Sequence, residues 1–170
     1  VEVDEHVQPR ETVSLIPLLS DVVNVIEAQA VKKRIKFISD FPEHLPSIPG
    51  DVDQLTQVFQ NLLENAMRYG RSESEIQIKI IIDNQLSENS ASHVMISIRD
   101  QGDGIPSKDL SRLTERFYRV DKARSRELGG TGLGLAIVKH IIGRHRGRLE
   151  IDSEEGVGST FTVFLPTFEG

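Results

Sequence analysis

The chain has 170 residues, of which 38% are hydrophobic, 27% charged and 5% aromatic, and it contains no cysteine. This composition is typical of one soluble globular domain, and it excludes a disulfide framework and cysteine-based zinc sites. The net charge of −6 argues against general binding to nucleic acid or to a membrane surface. The chain begins without Met and without a signal-peptide pattern, which suggests a fragment of a larger protein.

The first fifty residues predict a strand, a helix, a second strand and a connector. A short strand ends at Val13, and apolar residues at helical spacing then predict a helix over residues 15–33. Residues 35–39 alternate roughly and predict a strand. Three prolines in residues 41–50 indicate a connector that holds at most a short strand.

The second helix has the clearest pattern in the chain. Asp51 can cap its first turn, its apolar residues follow the i, i+3, i+4, i+7 spacing, and Gly70 ends it. Asn61 and Asn65 lie four residues apart, so they share one edge of this helix, and Arg68 lies one turn further on. Carboxamide oxygens can bind hydrated Mg²⁺, but the two asparagines could also simply cover an exposed face.

The second half of the chain predicts more strands than helices. Its predicted elements are strands over 75–83 and 94–99, a polar turn over 84–92, a short helical piece near 108–112, a helix over about 132–145, and a hairpin of 148–152 with 160–165. This order indicates an α+β sandwich whose mixed, mostly antiparallel sheet carries three main helices on one face. The long stretch of residues 101–130 has little regular structure, and loops of that length are usually functional or mobile.

A DQGDG segment at residues 100–104 follows the second of these strands. Its glycines permit close approach of the backbone and a positive φ angle. Asp100 at the strand end can accept a hydrogen bond from an exocyclic amine such as that of adenine. For this segment alone, a plain Asp-Gly turn is the simpler interpretation.

A GGTGLG segment at residues 129–134 opens the third helix. Free N–H groups at a helix N-terminus that follows glycines favour phosphate binding. The spacing differs from the G-x-G-x-x-G of dinucleotide folds, and the P-loop motif G-x-x-x-x-G-K-[ST] is absent from the sequence.

Two further features are less specific. Residues 108–126 hold seven basic and three acidic side chains, which fits either a segment that contacts an anion or a solvated loop. The five histidines are scattered, and His140 and His145 lie five apart, a poor spacing for a shared metal ion. We interpret all five as surface or helix-end residues.

Taken together, the segments resemble the conserved boxes of sensor histidine kinases in the GHKL ATPase group. The matching segments, in order, are QVFQNLLENAMRY at 57–69 (N box), DQGDG at 100–104 (G1 box), ERFYR at 115–119 (F box), GTGLGLA at 130–136 (G2 box) and GVGSTF at 156–161. The run at 113–126 further resembles the phosphate-regulon (PhoR-type) kinases. One box would be weak evidence, whereas five in order and at fitting spacing are very specific.

The resemblance implies a Bergerat-type ATP-binding domain over residues 1–170, with a mobile ATP lid over about 105–130. Asn65 would hold Mg²⁺, Asn61 would line the same site, Asp100 would bind the adenine amine, and Arg119 would reach the γ-phosphate. The residues that would contact ATP are Asn61, Asn65, Arg68, Tyr69, Asp100, Gly102, Gly104, Ile105, Arg119, Lys122, Gly130, Thr131, Gly132, Leu133, Gly134 and Thr160.

The resemblance also implies the reaction and its partners. The γ-phosphate of ATP would pass to a histidine on a separate dimerisation domain and then to a response regulator. Hydrolysing branches of the group carry Glu at the position of Asn61, so Asn fits a kinase. The fragment would be a monomeric cytoplasmic domain that does not phosphorylate itself, and its parent a homodimer anchored in the bacterial inner membrane. The alternatives are a non-catalytic module of the same fold that binds nucleotide or a partner, and a GHKL ATPase, which the F box and the long lid disfavour.

Overall fold

The computed structural model describes residues 7–83, 92–113 and 134–168. The described strands are β1 (Glu11–Val13), β2 (Lys36–Asp40), β3 (Ile48–Gly50), β4 (Glu75–Asp83), β5 (His93–Arg99), β6 (Arg148–Glu154) and β7 (Gly158–Pro166). The described helices are α1 (Leu15–Gln29), α2 (Val52–Tyr69), α3 (Ser107–Leu110) and α4 (Gly134–Arg144), and a 3-10 turn follows α1 at Val31–Lys33.

The main sheet has five strands in the order β2-β4-β5-β7-β6. The pair β2–β4 is parallel and the other three pairs are antiparallel, while β1 and β3 form a separate antiparallel ribbon. This arrangement confirms the predicted α+β fold with a mixed, mostly antiparallel sheet.

One face of the sheet forms the core with the helices. Ile80, Ile96 and Val163 lie side by side in register on β4, β5 and β7, and all three side chains are buried. The apolar residues of α1, α2 and α4 pack in the same cluster. Because side chains alternate between the two faces of a strand, the opposite face carries the polar positions of these strands.

The first helix is shorter than predicted. It ends at Gln29 rather than at residue 33, and the chain continues as the 3-10 turn before Arg34 takes a left-handed conformation with a φ of 54°. Ala30 is the last buried residue of the apolar face, and Val31 is 70% exposed. A further turn of α-helix would therefore bury no additional apolar surface.

Helix α2 begins and ends where the sequence predicts. The Asp51 carboxylate accepts a hydrogen bond from the Gln54 N–H at 2.9 Å, which confirms the predicted N-cap. Gly70 ends the helix in an extended conformation, with a φ of −68° and a ψ of 151°. Glycine is needed there for space, since a Cβ at Gly70 would lie 2.6 Å from the carbonyl oxygen of Ala66.

The remaining predictions agree with the structure to within a few residues. The short helical piece is α3, one residue earlier than predicted, and the terminal hairpin is formed by β6 and β7. The predicted polar turn falls largely on residues 84–91, which lie outside the described ranges. No helix within the described residues is long and apolar enough to cross a bilayer.

Candidate functional site

The carboxamide edge of α2 faces the first residue of α4. Asn61 and Asn65 are both partly buried beside the apolar face of α2. A Cβ built on Gly134 would lie 3.8 Å from Cγ of Asn61, which is ordinary van der Waals contact. The structure therefore brings the N box and the last glycine of the G2 box together, although 73 positions of sequence separate Asn61 from Gly134 (134 − 61).

The C-terminal end of α2 contacts the loop that follows β5. Gly70 and Gly102 form an isolated antiparallel bridge. A Cβ on Gly102 would collide with the carbonyl oxygen of Tyr69, so only glycine allows this approach. Arg68 on the same turn forms an i, i+4 ion pair with Glu64 at 3.8 Å. Arg68 and Tyr69 are thus held next to the G1 box.

Asp100 is a buried carboxylate at the end of β5, with 6% of its surface exposed. Its Oδ1 accepts hydrogen bonds from the backbone N–H groups of Gly102 at 2.9 Å and Ser159 at 3.4 Å. Burial raises the pKa of the Asp100 carboxyl above its ordinary value, and the two N–H groups offset part of that rise. Within the described residues both donors to the Asp100 carboxylate bond Oδ1, and none donates to Oδ2.

The turn between β6 and β7 supports the loop after Asp100. Gly158, with a φ of 147°, approaches the carbonyl oxygen of Asp100, and Gly104, with a φ of 75°, approaches that of Glu154. A Cβ would collide at either contact. The hydroxyl of Ser153 accepts a hydrogen bond from the Ile105 N–H at 2.7 Å. These contacts fix the loop where the predicted lid begins.

Thr160 lies on the other face of the sheet. It pairs with Arg99 on β5 and with Asp152 on β6, and both of these residues are exposed. Asp100 and Ser159 are each one position away along their strands, so they point toward the helices. The structure therefore places Ser159, and not Thr160, beside Asp100.

Six of the predicted site residues lie outside the described part of the chain. The residues that lie outside the described ranges are Arg119, Lys122, Gly130, Thr131, Gly132 and Leu133, together with the whole F box. Residues 105–113, at the start of the predicted lid, are described, and Asp109 and Leu113 are buried there.

The described side chains can act by positioning charge rather than by covalent chemistry. No three His, Asp or Glu side chains converge as a metal site in residues 7–83, 92–113 and 134–168. A divalent ion at the edge of α2 would instead use carboxamide oxygens, which suit a hard cation such as Mg²⁺, together with oxygens of its ligand. A carboxylate oxygen such as Oδ2 of Asp100 has the acceptor chemistry that an exocyclic amine requires.

Comparison with known proteins identifies the family. The model of the family described as "Histidine kinase-, DNA gyrase B-, and HSP90-like ATPase" matches residues 50–169. The chain belongs to this family. The sensor histidine kinase WalK of Bacillus subtilis is 37% identical over 157 residues, which make up 92% of this chain and 25% of that kinase. The chain therefore spans about a quarter of the length of this relative and corresponds to the catalytic ATPase domain of sensor histidine kinases.

Solved structures of histidine kinases share the fold. A mycobacterial sensor histidine kinase, MprB, superposes with a TM-score of 0.78 at 26% identity, covering 92% of this chain and 97% of that one. Full-length ShkA in complex with AMPPNP superposes with a TM-score of 0.76 at 24% identity, covering 94% of this chain and 31% of that one. The strand order and helix packing described above are therefore those of a histidine kinase ATPase domain.

Two residues that the sequence did not single out hold the ends of α2. His145 directly follows the end of α4, which agrees with its interpretation as a helix-end residue, and its side chain is completely buried. Lys33 binds the C-terminal carbonyls of α2. Neither residue has a local signal, because each partner is far away in sequence.

Proposed function

We propose that this chain is the ATP·Mg²⁺-binding catalytic domain of a two-component sensor histidine kinase. It would transfer the γ-phosphate of ATP to a histidine on a separate dimerisation domain, for relay to a response regulator. One observation carries the proposal: the buried Asp100, anchored through Oδ1, lies at the end of β5 where the loop contacts the end of the asparagine-bearing helix. Membership of the ATPase family supports it.

These positions support the roles that the family resemblance implies. Asp100 binds the adenine amine, with Gly102, Gly104 and Ile105 forming the adjoining wall. Asn61 and Asn65 face the phosphates, where Asn65 would bind the Mg²⁺ that neutralises them. The further contacts would come from Arg68, Tyr69 and Gly134 among the described residues, and from Arg119, Lys122, Gly130, Thr131, Gly132 and Leu133 by resemblance. We replace Thr160 in this set by Ser159, which shares the face of Asp100.

The proposed transfer needs no nucleophile from this chain. An imidazole nitrogen of the acceptor attacks the γ-phosphorus, the bond from that phosphorus to the bridging oxygen breaks, and ADP leaves with the electron pair. The proton on the other imidazole nitrogen passes to solvent. The chain's part is to orient the triphosphate and to neutralise its charge.

The setting of the domain is part of the proposal. We propose one domain over residues 1–170, with an ATP lid over about 105–130, that is monomeric by itself and binds no nucleic acid. The parent would be a homodimer anchored in the bacterial inner membrane, with this domain in the cytoplasm. The narrower resemblance to PhoR-type kinases stays a prediction, because it rests on residues 113–126, of which only Leu113 is described.

Calorimetry with ATP, with and without Mg²⁺, tests the binding function. We expect wild-type protein to bind more tightly with Mg²⁺, and Asn65→Ala to lose that Mg²⁺-dependent gain. Gln60→Ala is the matched control, since Gln60 is an exposed carboxamide on the same helix that donates to Glu64 at 3.3 Å. Equal affinities with and without Mg²⁺ in the wild type would contradict the metal assignment.

A transfer assay separates the kinase from the alternatives. Mixed with ATP and the dimerisation domain of its kinase, the chain should label that domain, whereas ATP alone should leave no stable phosphate on the chain. Nucleotide binding without transfer would favour the non-catalytic module. Rapid release of phosphate without any acceptor would favour an ATPase.

A further inference from the structure

The ammonium group of Lys33 contacts the C-terminal end of α2 from a different part of the chain. Its Nζ donates to the carbonyl oxygens of Met67 at 2.9 Å and Arg68 at 2.8 Å, with a longer contact of 3.4 Å to that of Gly70. Lys33 is partly buried and ends the 3-10 turn that follows α1.

These carbonyls need a partner from outside the helix. The last carbonyls of an α-helix have no intrahelical donor, and they form the negative end of its dipole. Gly70 donates to Ala66, but its extended conformation carries the chain away from the helix, so Met67 and Arg68 receive no donor from a following turn. A cation that donates to both carbonyls matches the geometry and the sign of this charge.

The position of Lys33 is itself fixed by contacts with Glu73. Its own carbonyl oxygen accepts from the Glu73 N–H at 2.9 Å, and the next residue, Arg34, pairs with the Glu73 carboxylate at 3.1 Å. The segment that carries Lys33 is therefore held against Glu73, just after the C-terminal end of α2, and from there the ammonium group contacts that helix.

The turn that Lys33 holds belongs to the proposed phosphate side of the site. Arg68 lies in it, Asn65 lies two residues before Met67, and Gly102 packs against the Tyr69 carbonyl. Asp100, by contrast, is held by Gly102 and Ser159 through backbone N–H groups at the strand ends. Of these two groups, Gly102 contacts the helix end, whereas Ser159 lies on β7. A loosened helix end would therefore displace Asn65 and Arg68 directly, and Asp100 only through Gly102, with Ser159 still holding it.

We propose that Lys33 is a positioning residue for the phosphate and metal side of the nucleotide site, acting through the carbonyls of Met67 and Arg68. The inference rests on the proposed function, and Lys33 does not touch the nucleotide. The affinity of AMP-PNP·Mg²⁺ should therefore depend on Lys33, whereas the affinity of adenosine, which lacks phosphates, should not.

Calorimetry on Lys33→Met, Lys33→Arg and Lys32→Met tests this inference. Lys32 is the exposed neighbour and serves as the matched control. We expect Lys33→Met to weaken AMP-PNP·Mg²⁺ binding roughly tenfold and adenosine binding less than about twofold. Lys33→Arg, whose guanidinium can donate to two carbonyls, should recover most of the loss, and Lys32→Met should match the wild type.

The possible results distinguish this inference from the proposed function on which it rests. Lys33→Met with wild-type affinity for AMP-PNP·Mg²⁺, or with equal losses for both ligands, would overturn the positioning role alone. Wild-type protein that binds neither ligand would remove the proposed function as well. If Lys33→Met does not fold at the assay temperature, Lys33→Gln, which still donates to one carbonyl, replaces it and should show a smaller loss confined to AMP-PNP·Mg²⁺.

Discussion

His145 and Asp51 join the C-terminal end of α4 to the N-cap of α2. The imidazole Nε2 accepts a hydrogen bond from the Asp51 N–H at 3.0 Å, and Nδ1 lies 2.8 Å from the carbonyl oxygen of Ile141. Since a carbonyl needs a donor and an N–H needs an acceptor, this geometry requires the neutral imidazole with its proton on Nδ1. The two helices that wall the proposed nucleotide site are therefore joined through an uncharged histidine.

Protonation of His145 should weaken the fold at mildly acidic pH. Burial lowers the pKa of this imidazole and is the largest effect. The Ile141 carbonyl and Asp51 raise this pKa, and nearby Arg144 lowers it further. Below the ordinary histidine pKa of about 6.5 the unfolded chain binds a proton that the folded chain does not, so stability falls as the pH falls from there. Urea unfolding at pH values from 7.5 down to about 5.5 measures this slope.

Two histidine variants test whether His145 causes this pH dependence of the unfolding free energy. His145→Gln, whose amide oxygen can still accept from Asp51, should flatten the dependence of the unfolding free energy on pH. His140→Gln removes an exposed histidine from the same helix and should keep the wild-type slope. An unchanged slope in His145→Gln would refute the assignment. His145→Leu leaves the Asp51 N–H without its acceptor and should lower the unfolding free energy by about 1–3 kcal/mol.

Asp100→Asn should weaken ATP binding and reduce discrimination against GTP. A carboxylate accepts from the adenine amine and repels the guanine carbonyl, whereas an amide can donate to that carbonyl. We expect a loss of roughly tenfold to hundredfold in ATP affinity, the range for a hydrogen bond to a charged group. Competition binding with both nucleotides measures it, and Asp103→Asn, an exposed position in the same loop, is the control.

The same substitution should not reduce stability. Burial raises the pKa of the Asp100 carboxyl, so the folded state holds its proton more tightly than the unfolded state. Stability from this group is greatest at low pH and is lost as the pH rises through the folded pKa. At neutral pH the burial of an ionised carboxylate costs stability, and the neutral Asn side chain removes this cost. A large fall in the unfolding free energy of Asp100→Asn would show that the ionised carboxylate stabilises the fold.

Gly134→Ala should separate stability from nucleotide binding. A Cβ at Gly134 fits beside Asn61 without a clash, and alanine favours a helix over glycine, so stability should stay level or rise by up to about 1 kcal/mol. The added methyl lies beside Asn61 and should weaken AMP-PNP·Mg²⁺ binding. Gly143→Ala, in open space near the other end of α4, should raise stability without this loss. Unaltered binding by Gly134→Ala would place the phosphates elsewhere.

Gly102→Ala should destabilise the fold and the site together. The added methyl would collide with the Tyr69 carbonyl, so the loop after Asp100 must move away from α2. We expect a loss of about 1–3 kcal/mol in unfolding free energy, the usual cost of overpacking. Thermal unfolding and adenosine binding on the same samples test this, and a variant as stable as the wild type would contradict the close contact.

Local patterns were enough to predict most secondary elements and much of the candidate site. The apolar spacing of α2 predicted both its bounds and the shared edge of Asn61 and Asn65, because helical period and capping act within a few residues. The end of β5 at Asp100 and the glycine turn before β7 were likewise readable, since alternation and turn residues are local signals.

Only the tertiary structure decided which distant residues meet. The contacts of Lys33 with Met67 and of His145 with Asp51 span 34 and 94 positions, and no sequence period reports such pairs. The exchange of Thr160 for Ser159 depends on the register of β7 against β5, where a shift of one residue reverses the face of every side chain. Periodicity assigns each residue to one side of its own element, whereas long-range packing selects the neighbouring element that this side contacts.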